Sequence, residues 1–359
     1  MAASRRLARK LPSIISKHRL LQLVLSRPCP CADDSIFACP DLLPTFRKAI
    51  LAFATSGDIP AASEALASLR RAADSPLPAE FYNIILHALA RLHRHDDAIR
   101  FYGEMTSVHR VALDAYTFNI LINSSCRVEG VDAAMRWFEE MRRRSCAPTG
   151  VSFNTLMRGF FREGRYKEGL KVAYEMLQLG AGLSVASMEI LIGGLCRGGE
   201  ALKAAEVFAE FLVDAVVPEG FDCLDLVESL CHVGRVDKAV EIVELVLERN
   251  RACCLSVPAG VTVLECLMKA GKLDDVCRLM GRMVGEGIVP DTISCNCIIE
   301  SFCEAGMISD ANRLRILTKE KGFAADAATY SMLVQGFGRQ GRVKEETLEE
   351  HKTKQGIVG

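Results

Sequence analysis

The chain has 359 residues, a formal net charge of −1, 50% hydrophobic and only 6% aromatic residues, and a mean hydropathy of +0.16. Without its basic N-terminal segment the chain carries a net charge of −8, which argues against a protein that coats polyanions indiscriminately. No apolar run approaches the roughly 18 residues that a membrane-spanning helix needs.

The N-terminal 32 residues are basic, contain serine and lack acidic residues, since Asp33 is the first acidic residue. This composition is typical of an organellar transit peptide, so we predict a disordered transit peptide over 1–32 and a linker over 33–42. The expected compartment is mitochondrial, with the chloroplast as the alternative. A disordered basic tail and, less well supported, a secretory leader are the other interpretations. Subtracting the seven basic residues of this segment from 44 Lys and Arg leaves 37 against 45 Asp and Glu, a net charge of −8.

A sequence motif recurs along the rest of the chain. Residues 116–126 read YTFNILINSSC and residues 151–161 read VSFNTLMRGFF, so that Phe118-Asn119 and Phe153-Asn154 lie 35 residues apart. Such self-similarity indicates a repeat architecture. The predicted repeats are 43–78, 79–114, 115–149, 150–184, 185–219, 220–256, 257–291, 292–326 and a partial unit at 327–359.

Each repeat contains two helical patterns. From Phe118 to Cys126 the apolar positions fall at i, i+3, i+4, i+7 and i+8, and a similar face runs from Ala134 to Met141. One hairpin cannot bury such a face alone, whereas stacked hairpins can. The predicted fold is therefore all-α: a right-handed α-solenoid of about eight to nine helix-turn-helix repeats of 35 residues. Glycines that suit a left-handed turn between the helices are Gly57, Gly164, Gly199, Gly234, Gly271, Gly306 and Gly341.

The 15 cysteines include no CxxC pair and no zinc-finger spacing. Four of them share one register of the first helix: Cys126, Cys196, Cys231 and Cys303. A column of small apolar residues on a helix face indicates packing, so we predict no metal site and no cofactor.

The sequence of the repeats resembles that of the pentatricopeptide repeat family. The matching segments are YTFNILINSSCRVEGVDAAMRWFEEM, VSFNTLMRGFFREGRYKEGLKVAYEM, TISCNCIIESFCEAGMISDANRL and ATYSMLVQGFGRQGRV. The resemblance covers roughly 43–359 and is to the P class, without a C-terminal deaminase extension. It implies a plant organellar protein that binds RNA and acts in RNA processing.

One register of the first helix carries an amide, at Asn83, Asn119, Asn154 and Asn296. Asparagine is a mediocre helix former, so its recurrence needs an explanation. An amide offers a donor and an acceptor, which suits the edge of a nucleobase. The alternative is that it satisfies polar groups near the start of a helix. The sequence alone does not decide between these uses.

A second register, eight residues later, carries cations. Such a row is suited to the phosphates of a nucleic-acid backbone. The alternative is that a cation in the last helical turn interacts favourably with the helix dipole. The predicted backbone-contacting residues are Arg91, Arg127, Arg162, Arg197, Lys269 and Arg339.

The resemblance also implies that the fifth and last residues of a repeat jointly select one base. Repeats 185–291 depart from the pattern, since Leu224 and Val261 cannot hydrogen-bond a base. The implied pairs are Asn83 with Asp114 for uracil, Asn119 with Thr149 for a pyrimidine, Asn154 with Ser184 for cytosine, and Asn296 with Asp326 for uracil.

No catalytic motif is found, and the glycine-rich GGLCRGGE lacks Walker spacing. The predicted protein is a non-catalytic monomer that binds single-stranded organellar RNA sequence-selectively. It is expected to act in RNA stability, processing, splicing or translation, together with RNA-processing proteins. The alternative is a scaffolding solenoid whose groove binds a peptide or a helix.

Overall fold

The computed structural model describes residues 42–72, 76–249, 251–319 and 327–339. The predicted transit peptide, almost all of the predicted linker, and the C-terminal residues from 340 onward lie outside these ranges. Across the described ranges all regular elements are helical, with 17 α-helices, one 3₁₀ turn and no strand. The prediction of an all-α repeat solenoid is confirmed. None of these helices combines the length and the apolar character needed to cross a bilayer.

The chain folds as two compact units that divide between Glu163 and Gly164. The helices of unit 1 are α1 (Leu42–Thr55), α2 (Ile59–Ala72), α3 (Ala79–Arg91), α4 (His95–Ser107), α5 (Ala115–Val128), α6 (Val131–Arg143) and α7 (Gly150–Arg162).

Unit 1 is built from two layers of helices. The first helices of successive repeats, α1, α3, α5 and α7, pack against one another, and each of the first three also packs against its own second helix. The predicted apolar face of α5 is buried, with Phe118 and Leu121 fully inaccessible. The rings of Phe138 on α6 and Phe153 on α7 meet edge to face, 5.3 Å apart between centroids. The core is therefore continuous from one repeat to the next within this unit.

Unit 2 repeats the same arrangement of helical hairpins. Its helices are α8 (Tyr166–Gln178), α9 (Val185–Arg197), α10 (Ala201–Val213), α11 (Leu224–His232), α12 (Val236–Glu248), α13 (Val257–Lys269), α14 (Leu273–Gly285), α15 (Thr292–Glu304), α16 (Ile308–Lys319) and α17 (Ala327–Arg339).

Helix α11 is shorter than the other first helices, with nine residues, and begins at Leu224 although the repeat was predicted to begin at 220. Gly220 adopts a left-handed φ of 85°, and the next three residues are not helical. The backbone N–H of Cys223 donates to the carbonyl of Cys254, in the 3₁₀ turn Ala252–Cys254, at 2.9 Å. This irregular repeat coincides with the part of the sequence that departs from the family pattern.

The turns between paired helices confirm the predicted role of glycine. Gly57, Gly164, Gly199, Gly234, Gly271 and Gly306 all have φ between 71° and 82°, which a residue with a Cβ adopts only at a cost. Gly341 lies outside the described residues.

The predicted cysteine column is partly buried. Cys126 is buried, whereas Cys196, Cys231 and Cys303 are half-buried. Burial raises the pKa of Cys126 to about 11, so this thiol is protonated and unreactive at neutral pH. In the part of the chain that the structure describes, no three His, Cys, Asp or Glu side chains gather into a group that could hold a metal ion.

Candidate nucleic-acid interface

The last residue of a repeat caps the first helix of the next repeat. A helix begins with backbone N–H groups that lack partners inside the helix, and a side-chain oxygen at the N-cap accepts from one of them. Asp114 does this for α5, with Oδ1 2.8 Å from the backbone nitrogen of Thr117. Ser184, Ser256 and Asp291 cap α9, α13 and α15 in the same way. Two predicted base-selecting residues, Asp114 and Ser184, thus lie at helix N-termini.

The amide of Asn83 is bonded to the cap of the following helix. Its Nδ2 donates to the two carboxylate oxygens of Asp114 at 3.0 and 3.2 Å, and its Oδ1 accepts from the Thr117 hydroxyl at 2.8 Å. Asn83 is only 2% exposed, whereas Asp114 is exposed. Because Asn83 belongs to α3, these hydrogen bonds join neighbouring repeats.

The amide of Asn119 makes the same contacts one repeat later. Its Nδ2 donates to Oγ1 of Thr149 at 3.2 Å, and its Oδ1 accepts from the Ser152 hydroxyl at 2.6 Å. Thr149 is the N-cap of α7, and Asn119 is half-buried. The cap is here a neutral hydroxyl, whereas Asp114 supplies a carboxylate.

The other two amides show parts of this arrangement. In unit 2, the Thr329 hydroxyl donates to Oδ1 of Asn296 at 2.5 Å. Asp326, its predicted partner in base selection, lies outside the described residues. In unit 1, Asn154 is half-buried, and its Oδ1 is buried with no hydrogen-bond partner among the residues that the structure describes.

These contacts bear on the two uses of the amide that the sequence left open. For Asn83, Asn119 and Asn296 the amide does satisfy polar groups near the start of a helix, and that helix belongs to the next repeat. An amide carries two N–H donors and two acceptor lone pairs, and the bonds of Asn119 occupy one of each. Base selection by these residues therefore stays a prediction. In the first pair the exposed Asp114 is the more accessible partner.

A hydroxyl residue that the sequence analysis did not predict bonds each of the amides Asn83, Asn119 and Asn296. Thr117, Ser152 and Thr329 occupy the third position of α5, α7 and α17, and all three are buried. Their hydroxyl groups bond Asn residues 33 or 34 positions earlier in the chain. The signal was present as a Ser or Thr that recurs three residues after the end of five repeats, at the three positions above and at Ser187 and Ser294.

Exposed apolar side chains lie beside the amides. Tyr116 is 54% exposed, Val151 61% and Ile293 74%. Each precedes an Asn by three residues and so lies on the same helix face. Large apolar side chains in solvent at a fixed register provide surfaces on which bases can pack. The sequence signal was an apolar residue outside the core periodicity.

Two arginines of the predicted cation row donate hydrogen bonds to backbone carbonyls. The guanidinium of Arg91 donates to the carbonyls of Ala54 and Thr55, at 3.4 and 2.9 Å, and that of Arg162 donates to the carbonyl of Cys126. Both arginines thus bond carbonyls at the C-terminal end of the first helix in the preceding repeat, a contact that neither interpretation of the row anticipated.

Three other cations of the row are more available to a ligand, and the side chain of Arg339 lies outside what the structure describes. Arg127, Arg197 and Lys269 are exposed. No hydrogen bond or ion pair of the Arg127 side chain is seen within the described ranges. Eight helical residues separate Asn119 from Arg127, about 12 Å along the axis. The cations thus lie at the opposite end of the first helix from the amides.

Within each unit, helical hairpins pack side by side, and amides and cations recur on their first helices. These features define a helical repeat protein with a polar, periodic surface. Sequence models confirm this class and give the family. One, described as the PPR repeat family, matches residues 80–127, 113–154, 148–197 and 290–339, and another, described as the PPR repeat, matches 187–214 and 261–288. Together they cover more than half of the chain. The chain belongs to the pentatricopeptide repeat family.

Similar proteins are found in Arabidopsis thaliana. A chloroplastic pentatricopeptide repeat-containing protein is 27% identical over 175 residues, which are 48% of this chain and 22% of that protein. A mitochondrial one is 27% identical over 235 residues, which are 64% of this chain and 54% of that protein. The crystal structure of PPR10 from maize matches with a TM-score of 0.49 and 22% identity, over 98% of this chain and 53% of that one. The chain thus spans less than two thirds of the length of these proteins.

Proposed function

We propose that this protein binds single-stranded RNA sequence-selectively and acts without catalysis in organellar RNA metabolism. The observation that carries the proposal is the repeated association of an amide, a helix cap and an exposed apolar residue on the first helices. In unit 1 the amide and the cap form two complete pairs, Asn83 with Asp114 and Asn119 with Thr149, and the second pair also has an exposed apolar residue, Tyr116, three positions before its amide. Family membership agrees with it, since the resemblance implies RNA binding.

Each group has a distinct role in this proposal. Bases pack against Tyr116 and Val151, a contact worth about 1–3 kcal/mol per base for an aromatic residue. The half-buried amide of Asn119 and the caps Asp114 and Thr149 present donors and acceptors to the base edge, whereas the buried Asn83 holds the Asp114 carboxylate in place. Arg127 and Arg197, at the far ends of their helices, contact phosphates, because the sugar–phosphate backbone lies on the side of the base away from its hydrogen-bonding edge.

The salt dependence of RNA binding tests the proposal. Affinity for a random single-stranded RNA pool is measured from 50 to 300 mM salt for the wild type and for the double variant Arg127→Ala/Arg197→Ala. Each lost phosphate contact should reduce the slope of log K against log salt by about 0.7. The matched control is Arg100→Ala/Arg136→Ala, which removes the same charge from the second helices α4 and α6, where both side chains are exposed. The control should keep the wild-type slope.

Two results would contradict the proposal. A wild-type protein that binds the pool with no salt dependence does not use phosphate contacts. A protein that binds no RNA, but retains a peptide or helix from an organellar extract, is the scaffolding protein that the sequence left as the alternative.

The compartment is part of the proposal and depends on residues 1–32. Their composition supports a mitochondrial transit peptide, with the chloroplast as the alternative. Fusion of these residues to a fluorescent protein should direct it into the organelle. Diffuse cytosolic fluorescence would contradict this assignment, and neutralising the arginines of the segment is the control.

A further inference from the structure

We propose that the hydroxyl group of Ser152 is a positioning residue for base selection, because it determines which way the amide of Asn119 points. The inference rests on the proposed function. Ser152 belongs to the repeat after that of Asn119, so one repeat would set the hydrogen-bonding character of its neighbour.

The orientation of the amide matters because its two ends are chemically opposite. An Nδ2 directed to the ligand donates, and suits an acceptor such as O4 of uracil. An Oδ1 in the same place accepts, and suits a donor such as the amino group of cytosine. An amide that turns over freely would bind both bases and discriminate poorly between them.

In the preceding repeat the carboxylate of Asp114 is sufficient to determine the orientation. An ionised carboxylate only accepts hydrogen bonds, so the amide atom that lies 3.0 and 3.2 Å from its oxygens must be the Nδ2 donor. Oδ1 of Asn83 then lies 2.8 Å from the Thr117 hydroxyl, whose single proton it shares with Oδ1 of Asp114, also at 2.8 Å. Thr117 reinforces an orientation that the charge already imposes.

In the repeat of Asn119 the cap, Thr149, carries no charge. Thr149 Oγ1 and Ser152 Oγ can each donate or accept, so the cap alone permits either orientation of the amide. The backbone N–H of Thr149 donates to Ser152 Oγ at 3.1 Å and occupies one of its lone pairs. The Ser152 proton has two oxygen acceptors within reach, Oγ1 of Thr149 at 3.3 Å and Oδ1 of Asn119 at 2.6 Å, and the shorter contact directs the proton to Asn119 and Nδ2 of Asn119 towards Thr149. Removal of this hydroxyl group removes the preference.

The experiment is a single-nucleotide scan. An RNA selected by the wild-type protein is varied at every position, and the affinity ratio between the best and worst nucleotide is measured at each. We expect Ser152→Ala to reduce this ratio at one position only, from about tenfold to about twofold, since one well-placed base contact contributes roughly that discrimination. Ser152→Thr keeps the hydroxyl group and should keep the ratio.

A rescue separates positioning from a purely structural role. In Thr149→Asp/Ser152→Ala a carboxylate replaces the neutral cap, so discrimination at that position should return to about tenfold although the hydroxyl group is still missing. Thr117→Val should leave the ratio at its own position unchanged, because Asp114 still orients Asn83. Thermal unfolding of every variant is recorded alongside.

The outcomes are distinct. A loss at one position with rescue by the carboxylate supports the proposal. An unchanged ratio in Ser152→Ala, or an equal loss of affinity at all positions that follows the thermal stability, overturns it while RNA binding by the wild type stands. A wild-type protein that binds no RNA overturns the proposed function and this inference together.

Discussion

Asp114 shows how much one residue contributes to the contact between two repeats. Its carboxylate caps α5 through the backbone N–H of Thr117 and accepts from the buried amide of Asn83. Loss of a capping side chain costs about 1 kcal/mol, and a buried donor left without a partner costs a further 1–3 kcal/mol.

We therefore expect Asp114→Ala to lower the free energy of unfolding by about 2 kcal/mol or more in urea denaturation. The control is Ser256→Ala, which removes the cap of α13 at the backbone N–H of Ala259. It should lower the free energy of unfolding by about 1 kcal/mol. Equal losses in the two variants would show that the amide of Asn83 gains nothing from the carboxylate.

The thiols should react in the order of their exposure. Burial raises the pKa of Cys126 and of Cys295 to about 11, whereas Cys253 and Cys297 are exposed. Because the thiolate is the nucleophile, iodoacetamide at pH 8 should label Cys253 and Cys297 well before Cys126 and Cys295, as followed by mass spectrometry. Labelling of Cys126 as fast as Cys297 would contradict the buried position.

The same raised pKa values predict a loss of stability at alkaline pH. A thiol of the unfolded chain ionises near pH 9, whereas the buried Cys126 and Cys295 stay neutral until about 11. Their contribution to stability is complete below pH 9 and is lost as pH rises from 9 to 11.

At the scale of the helix, arginines of one repeat bond the end of a helix in the previous repeat. Arg91 donates to the carbonyls of Ala54 and Thr55, near the C-terminus of α1. By contrast, the exposed Arg127 of α5 makes no comparable bond among the described residues. We expect Arg91→Ala to lower the free energy of unfolding by about 1 kcal/mol and Arg127→Ala to change it by less than about 0.5 kcal/mol. Chemical denaturation measures both. The reverse order would contradict the capping role.

The positions of the helices could be predicted from the sequence better than the contacts that form the candidate site. The apolar face from Phe118 to Cys126 follows a strict helical period, so α5 was predictable without knowledge of its neighbours. The start of α11 was not predictable, because it depends on a turn at Gly220 and on a backbone hydrogen bond from Cys223 to Cys254, 31 residues later in the chain. The site was predictable only in part. A Ser, Thr or Asp before a helix signals a cap, but the burial of Asn83 depends on which side chain the next repeat brings to it.

At the scale of the whole chain, a stack of repeats is held by contacts between neighbours, so a defect should remain local. Gly159 of α7 provides a test. A Cβ added there would lie 2.8 Å from Sγ of Cys126 and 3.0 Å from Cγ2 of Val131, too close without a shift of the neighbouring helices. Overpacking of this kind costs about 1–3 kcal/mol.

We expect Gly159→Ala to lower amide hydrogen-exchange protection most in α5, α6 and α7, and least in α13 to α15, as measured by mass spectrometry. The matched control is Gly281→Ala on α14, where an added Cβ meets nothing within 4 Å. Uniform loss of protection over the chain would show that the protein unfolds as one cooperative block.

The hydrogen bonds from Asn83 to Asp114 and Thr117 also decide where such a protein can be cut and rejoined. A module exchanged at the boundary between 114 and 115 would carry an asparagine away from the threonine that holds it. Recombination inside a second helix, such as α4, would separate Asn83 from both Asp114 and Thr117, whereas a junction between Thr117 and Asn119 would leave all of these hydrogen bonds within one module. Engineered or duplicated arrays should therefore tolerate junctions just after the third residue of a first helix better than junctions in the second helices.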